Sequence, residues 1–135
     1  MNRPAIIALA IAAGTFASHA RSVTLGVHTI SAHEMGGYRI VTPGAYVRGQ
    51  SGIGAGVLRN SIGRISWHAD YTVQTAPGPV RLAVTVGVIT GYPHAAVSPV
   101  LTPSVLLAER VRLLYLPAKP DEPKSSQALH LAIEF

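Results

Sequence analysis

The chain has 135 residues, 11 Lys+Arg against 6 Asp+Glu, a formal net charge of +5 and no cysteine. Its length fits one domain rather than two, and the lack of cysteine excludes disulfides and thiolate metal sites. Only 13% of the residues are charged and the mean hydropathy is +0.33, which is low in charge against the ~25% usual for a soluble domain.

Asn2 and Arg3 form a short basic start, residues 4–17 are small and apolar, and Ser18-His19-Ala20 puts small residues at the −3 and −1 positions of a cut after Ala20. This three-part pattern predicts a secretory signal over residues 1–20 and a mature domain over 21–135. An uncleaved anchor is the alternative, but the apolar run is shorter than the ~20 residues a spanning helix needs. Without Arg3 the mature part holds ten Lys+Arg against six acidic residues, a net of +4. Nucleic acid is a poor partner for an exported chain with no aromatic-basic patch. The basic excess fits outer-membrane lipid headgroups or lipopolysaccharide phosphates, or simply a basic solvated surface.

Helical periodicity is nearly absent after the leader, and period-two segments recur. The first predicted strand, 22–29, sets Val23, Leu25 and Val27 against Thr24, Gly26 and His28. A second covers 38–48, with a bulge expected at Pro43-Gly44. A third, 54–60, alternates glycines with Ala55 and Val57. The clearest pattern is 64–74, where Ile65, Trp67, Ala69, Tyr71 and Val73 oppose Ser66, His68, Asp70 and Thr72. The segment 80–88 alternates Val80, Leu82, Val84, Val86 and Val88 with Arg81, Ala83, Thr85 and Gly87. The segment 97–107 is the weakest, because Pro99 and Pro103 each remove a ladder donor. Strands at 111–116 and 128–135 complete eight. Short connections at 49–52, 75–79 and 108–110 alternate with longer ones at 31–37, 90–96 and 117–126, and the short loop 60–63 breaks that rhythm. Pro117 to Ser126 reads as a loop of low complexity. The fold class predicted is all-β, a single eight-stranded antiparallel barrel with both ends of the chain on the short-turn side, as in bacterial membrane barrels.

Alternation alone does not say which face lies inside. In a soluble barrel the valines and leucines fill the core; in a membrane barrel they face lipid and the polar set lines the lumen. Low charge, small neutral residues on the polar faces and a final apolar-alternating strand, 129–135, ending on Phe135 favour the membrane. The 6% aromatic content, a thin girdle for a membrane protein, counts against it.

With its leader, strand rhythm and terminal Phe135, the mature chain resembles the small eight-stranded bacterial outer-membrane barrels, a group that includes lipid A palmitoyltransferase and lipid A deacylase enzymes. The resemblance is architectural and carries no catalytic motif. Residues 42–48 and 56–64 are also similar to uncharacterised exported bacterial and phage proteins, which share an Asn-Pro-Gly strand start and a Tyr-Arg-Asn-Ser turn. This chain departs from that pattern at Thr42 and Leu58.

The candidate catalytic residues are His68 and Asp70, on one face with Ser66 before them, together with His28 and His130 from other strands. A nucleophile, a base and an orienting acid are the parts such a set can supply. Side chains at i and i+2 of a strand are expected to point in parallel rather than at one another, so partners from other strands (His28, His130 or Glu134) would be needed. An inert, hydrogen-bonded polar lumen explains the same residues. Arg59 and Arg64 flank the turn formed by Asn60, Ser61 and Gly63 and are candidate anion-binding residues. His33-Glu34 lacks the second His of zinc-protease spacing, so no metal site is predicted, and no cofactor is implied. The functional expectation is a small exported outer-membrane barrel with a structural or envelope-interaction role. Its alternatives are an enzyme acting on outer-membrane lipid by acyl transfer or deacylation, and a soluble periplasmic barrel binding a small apolar ligand. The sequence does not decide whether the protein is an enzyme, nor its oligomeric state.

Overall fold

The computed structural model describes residues 23–119 and 125–135. The predicted leader, 1–20, lies outside the described residues, as does the middle of the 117–126 loop. Eight strands are present: β1 (Val23–His33), β2 (Val41–Gly49), β3 (Ile53–Arg59), β4 (Ile65–Gln74), β5 (Val80–Ile89), β6 (Ser98–Leu107), β7 (Val111–Leu116) and β8 (Ala128–Glu134). Each pairs antiparallel with its sequence neighbours, and β1 pairs with β8 to close the barrel. Closure gives every strand a partner on both sides. The connections 50–52, 75–79 and 108–110 lie at one end with the start of β1 and the end of β8. The connections 34–40, 60–64, 90–97 and 117–127 lie at the other.

The polarity of the wall is inverted relative to a soluble protein. On β5 the outward side chains Val80, Leu82, Val84, Val86 and Val88 are exposed, whereas Ala83 and Thr85 point inward and are buried. Trp67 is 64% exposed, and Leu82 and Leu101 are each 59% exposed. In contrast, Ser66, Thr42 and Arg112 are at most 1% exposed. Alternation therefore resolves to apolar outside and polar inside along the barrel. The residues expected to point outward do so: Ile65, Trp67, Tyr71, Val80, Leu82 and Val84 are exposed, and Ile133 is half-buried. A ten-residue strand such as β5, at ~3.3 Å per residue and tilted ~40°, spans about 25 Å, the height of the apolar band of a membrane barrel.

Two irregularities shape the lumen. The bulge expected near Pro43 exists: Thr29 alone faces Thr42-Pro43 where β1 meets β2. Thr29 is also one residue extra against β8, where His28 pairs with Ala132 and Ile30 with Leu131. An extra residue breaks the two-residue alternation. Both His28 and Ser31, three apart, therefore point inward, and β1 continues past the expected end at Thr29 to His33. The prolines of β6 do not prevent a strand. All ten β6 residues pair with β5, but the ladder to β7 covers only Ser104–Leu107. Pro103, lacking an N–H, marks the point where that ladder stops.

The turns at the two ends differ in chemistry. Asn60 accepts from the backbone N–H of Ile62 (3.2 Å) and Arg64 (2.9 Å), and Gly63 supplies the positive φ of 84°. Asn60 also donates to Ser66 Oγ (3.0 Å) and to the Gly91 carbonyl (3.1 Å), tying two loops together at that rim. At the opposite rim the β6–β7 turn places Ala108 and Glu109 at φ 49° and 56°, positions that normally favour Asn and Gly.

Candidate functional site

The lumen holds two connected groups of polar side chains. In the first, five residues from three strands form a chain. Ser31 Oγ lies 2.6 Å from His130 Nδ1. His130 Nε2 lies 2.8 Å from His28 Nδ1, and His28 Nε2 lies 3.3 Å from His68 Nε2. His68 Nδ1 lies 2.7 Å from Asp70 Oδ2. One assignment of protons satisfies every link: Ser31 donates to His130, His130 to His28, His28 to His68, and His68 to the Asp70 carboxylate. Each imidazole then donates once and accepts once, as a neutral ring must. Thr42 joins at the serine end, 3.3 Å from Ser31 Oγ. The arrangement is an acid–base–hydroxyl set with two further imidazoles inserted in it.

Four of these residues, His28, His68, Asp70 and His130, are the catalytic candidates named from sequence, and the barrel brings them together. The expectation that His68 and Asp70 point in parallel is corrected, since they are in direct contact. Their Cα atoms are ~6.6 Å apart along the strand, a gap that an imidazole and a carboxylate tilted toward each other span. Space comes from glycines on the neighbouring strands. A Cβ on Gly56 would stand 2.5 Å from His68 Nε2, so glycine there admits the ring. Gly26 likewise leaves room for the Tyr46 ring, which lies over it.

Ser31 was not visible as a site residue, because without the Thr29 bulge it falls in a predicted loop. A β-branched polar residue (Thr29) opposite a Thr-Pro step is the only sequence sign of that bulge.

The second group fills the lumen toward the short-turn end. Glu134 Oε1 accepts from Tyr46 Oη (2.6 Å), Arg48 Nη1 (2.9 Å) and Arg112 Nε (2.6 Å). Its Oε2 accepts from Arg112 Nη2 (3.2 Å). Arg112 also donates to Ser104 Oγ (3.0 Å) and Gln74 Oε1 (3.1 Å). The Arg48 guanidinium sits 5.1 Å from the centre of the Tyr46 ring. Such buried charges persist because they are paired and hydrogen-bonded. Glu134, a possible partner of the histidines by sequence, belongs to this ionic plug. Also in the lumen, Thr72 and Thr85 share a hydrogen bond of 2.7 Å.

Arg59 and Arg64 lie at the opposite rim, both exposed, and Arg59 Nε donates to the Gly63 carbonyl (3.1 Å) of its own hairpin. Among the described residues no group of three or more His, Cys, Asp or Glu is arranged to hold a metal ion. The three lumenal rings explain why: His28 spends its two nitrogens on different neighbours, so the imidazoles are strung in line rather than converging on a point. No protein-family model matches the chain, and no curated protein matches it.

Proposed function

We propose that the protein is a small barrel of the bacterial outer membrane with a self-filled lumen and a structural or envelope-interaction role. The inverted polarity carries this reading. Exposed apolar residues on every strand would cost about 25 cal/mol per Å2 if left in water, and acyl chains remove that cost. No described helix is long and apolar enough to cross a membrane, so strands are the crossing elements in this reading. The cross-linked plug of Arg48, Arg112 and Glu134 supports a stabilising role for the lumen rather than a wide channel. The polar interior counts against the alternative of a soluble barrel enclosing an apolar ligand. Expression followed by fractionation tests the proposal: the folded protein should sediment with outer membrane and run faster on gels before boiling than after. Recovery as a soluble periplasmic monomer would overturn it.

The short Ser31–His130 contact favours one second reading, an enzyme that modifies membrane lipid. In it Ser31 is the nucleophile and His130 the base, with His28, His68 and Asp70 behind them to receive positive charge. Ser31→Ala should then abolish a change in lipid composition that the wild-type protein produces, while assembly is unaffected. If the wild-type protein never alters lipid composition, the chain of hydrogen bonds is structural.

A further inference from the structure

The short-turn mouth of the barrel opens into a cavity of about 570 Å3. Its wall includes Arg48, Arg81, Gln74, Thr24, Thr72 and Glu134. The charges around it do not balance. Two guanidiniums, those of Arg48 and Arg112, share the single carboxylate of Glu134. Among the described residues Arg81 is paired with Glu109, whose side chain is 57% exposed; such a solvent-facing partner neutralises little. The donors are not all spent either. Arg48 reaches Glu134 through Nη1 and Arg81 reaches Glu109 through Nη2. Both Nε atoms are buried and have no hydrogen-bond partner among the described residues. A buried donor without a partner costs about 1–3 kcal/mol, so the described residues leave both guanidiniums incompletely satisfied, and both side chains line the one cavity.

We propose that this mouth is an oxyanion site, in which Arg48 and Arg81 grip a phosphate group carried on a larger molecule. The guanidinium offers a planar fork of donors that matches two phosphate oxygens. Glu134 also lines the cavity, but its carboxylate is engaged by two arginines and Tyr46, which offset its charge toward an anion. The cavity volume far exceeds one phosphate, and Tyr71 and Val73 carry its wall onto the outer face of β4, so an apolar body attached to the phosphate has a surface to follow. This assignment stands whether or not the barrel lies in a membrane. It also differs from the pair Arg59 and Arg64, which lie at the other rim.

The test is titration of the purified, folded protein in a neutral detergent, once with inorganic phosphate and once with a short-chain phosphatidic acid, followed by calorimetry. Saturable binding of inorganic phosphate identifies a soluble phosphate as sufficient; binding of the phosphatidic acid alone identifies a lipid headgroup. In either case Arg81→Gln, a change at the rim outside the Glu134 plug, should weaken binding by roughly ten- to a hundredfold. Arg48→Gln should weaken it at least as much, and Arg39→Gln at the opposite end should leave it unchanged. No binding of either probe overturns the proposal. So does binding that survives Arg81→Gln undiminished, even if Arg48→Gln fails to fold.

Discussion

Replacing Glu134 with Gln keeps the shape of the side chain and removes the only carboxylate between two buried guanidiniums. Glu134 is 3% exposed and Arg112 is 1% exposed, so water does not compensate for the loss. In the variant the new amide N–H groups face guanidinium donors that previously met oxygen at 2.6–3.2 Å. Breaking a buried pair by removing one partner costs about 3–5 kcal/mol. With a denaturant slope of roughly 1–3 kcal/mol per M in urea, the unfolding midpoint should fall by at least about 1 M. The assay is reversible urea unfolding of the barrel in detergent, followed by the fluorescence of Trp67, the only tryptophan. A double-mutant cycle with Arg112→Met assigns the cause: removing the second guanidinium relieves part of the repulsion, giving a coupling of about 1–3 kcal/mol. A Glu134→Gln midpoint within 0.3 M of the wild type, a margin of roughly 1 kcal/mol or less at those slopes, or strict additivity in the cycle, would refute the view that this ionic plug holds the lumen together.

Other changes probe other parts of the structure. His28→Leu strips His130 Nε2 and His68 Nε2 of their partners at once and should cost about 2–4 kcal/mol in the same assay; a neutral result would show that the imidazole chain is not formed. Deleting Thr29 removes the extra residue, so His28 and Ser31 become two apart and still face inward in an unbroken ladder to β8; the barrel should still form, judged by retained heat-modifiable gel mobility, and loss of that mobility would show that the bulge is needed for closure. Gly26→Ala should lower stability by about 1–3 kcal/mol, since the new methyl group must displace the Tyr46 ring. Ala108→Asn should raise stability by up to about 1 kcal/mol by easing the left-handed turn, which a shift of the urea midpoint to higher concentration would register.

The strands were legible because period-two alternation survives in nearly all of them. β4 and β5 read correctly to within a residue at their ends, and the Pro43 bulge followed from the missing donor. Two kinds of information were not local. Which face points inward is decided by closure of the sheet, and either face of Val80–Val88 suits some barrel. Which lumenal residues meet is decided by register between strands far apart in sequence: Ser31 reaches His130 across 99 positions, and Arg48 reaches Glu134 across 86. A one-residue bulge at Thr29 was enough to hide Ser31. The prolines make β6 the weakest strand by sequence, whereas in the barrel they coincide with lost pairing on one side of it only. Arg59 and Arg64 drew attention because a turn joins them in sequence, while Arg48, Arg81 and Arg112 converge on the lumen from three separate strands.

The contact between the outer face and lipid is measured most directly through Trp67, which stands outward on β4. The protein is refolded into phosphatidylcholine vesicles, with and without bromine atoms on the acyl chains, and the fluorescence of this single tryptophan is recorded. A membrane-spanning barrel predicts blue-shifted emission that the brominated chains quench strongly. Water-like emission at full intensity in the brominated vesicles, from a protein that stays folded in buffer without detergent, would contradict the account.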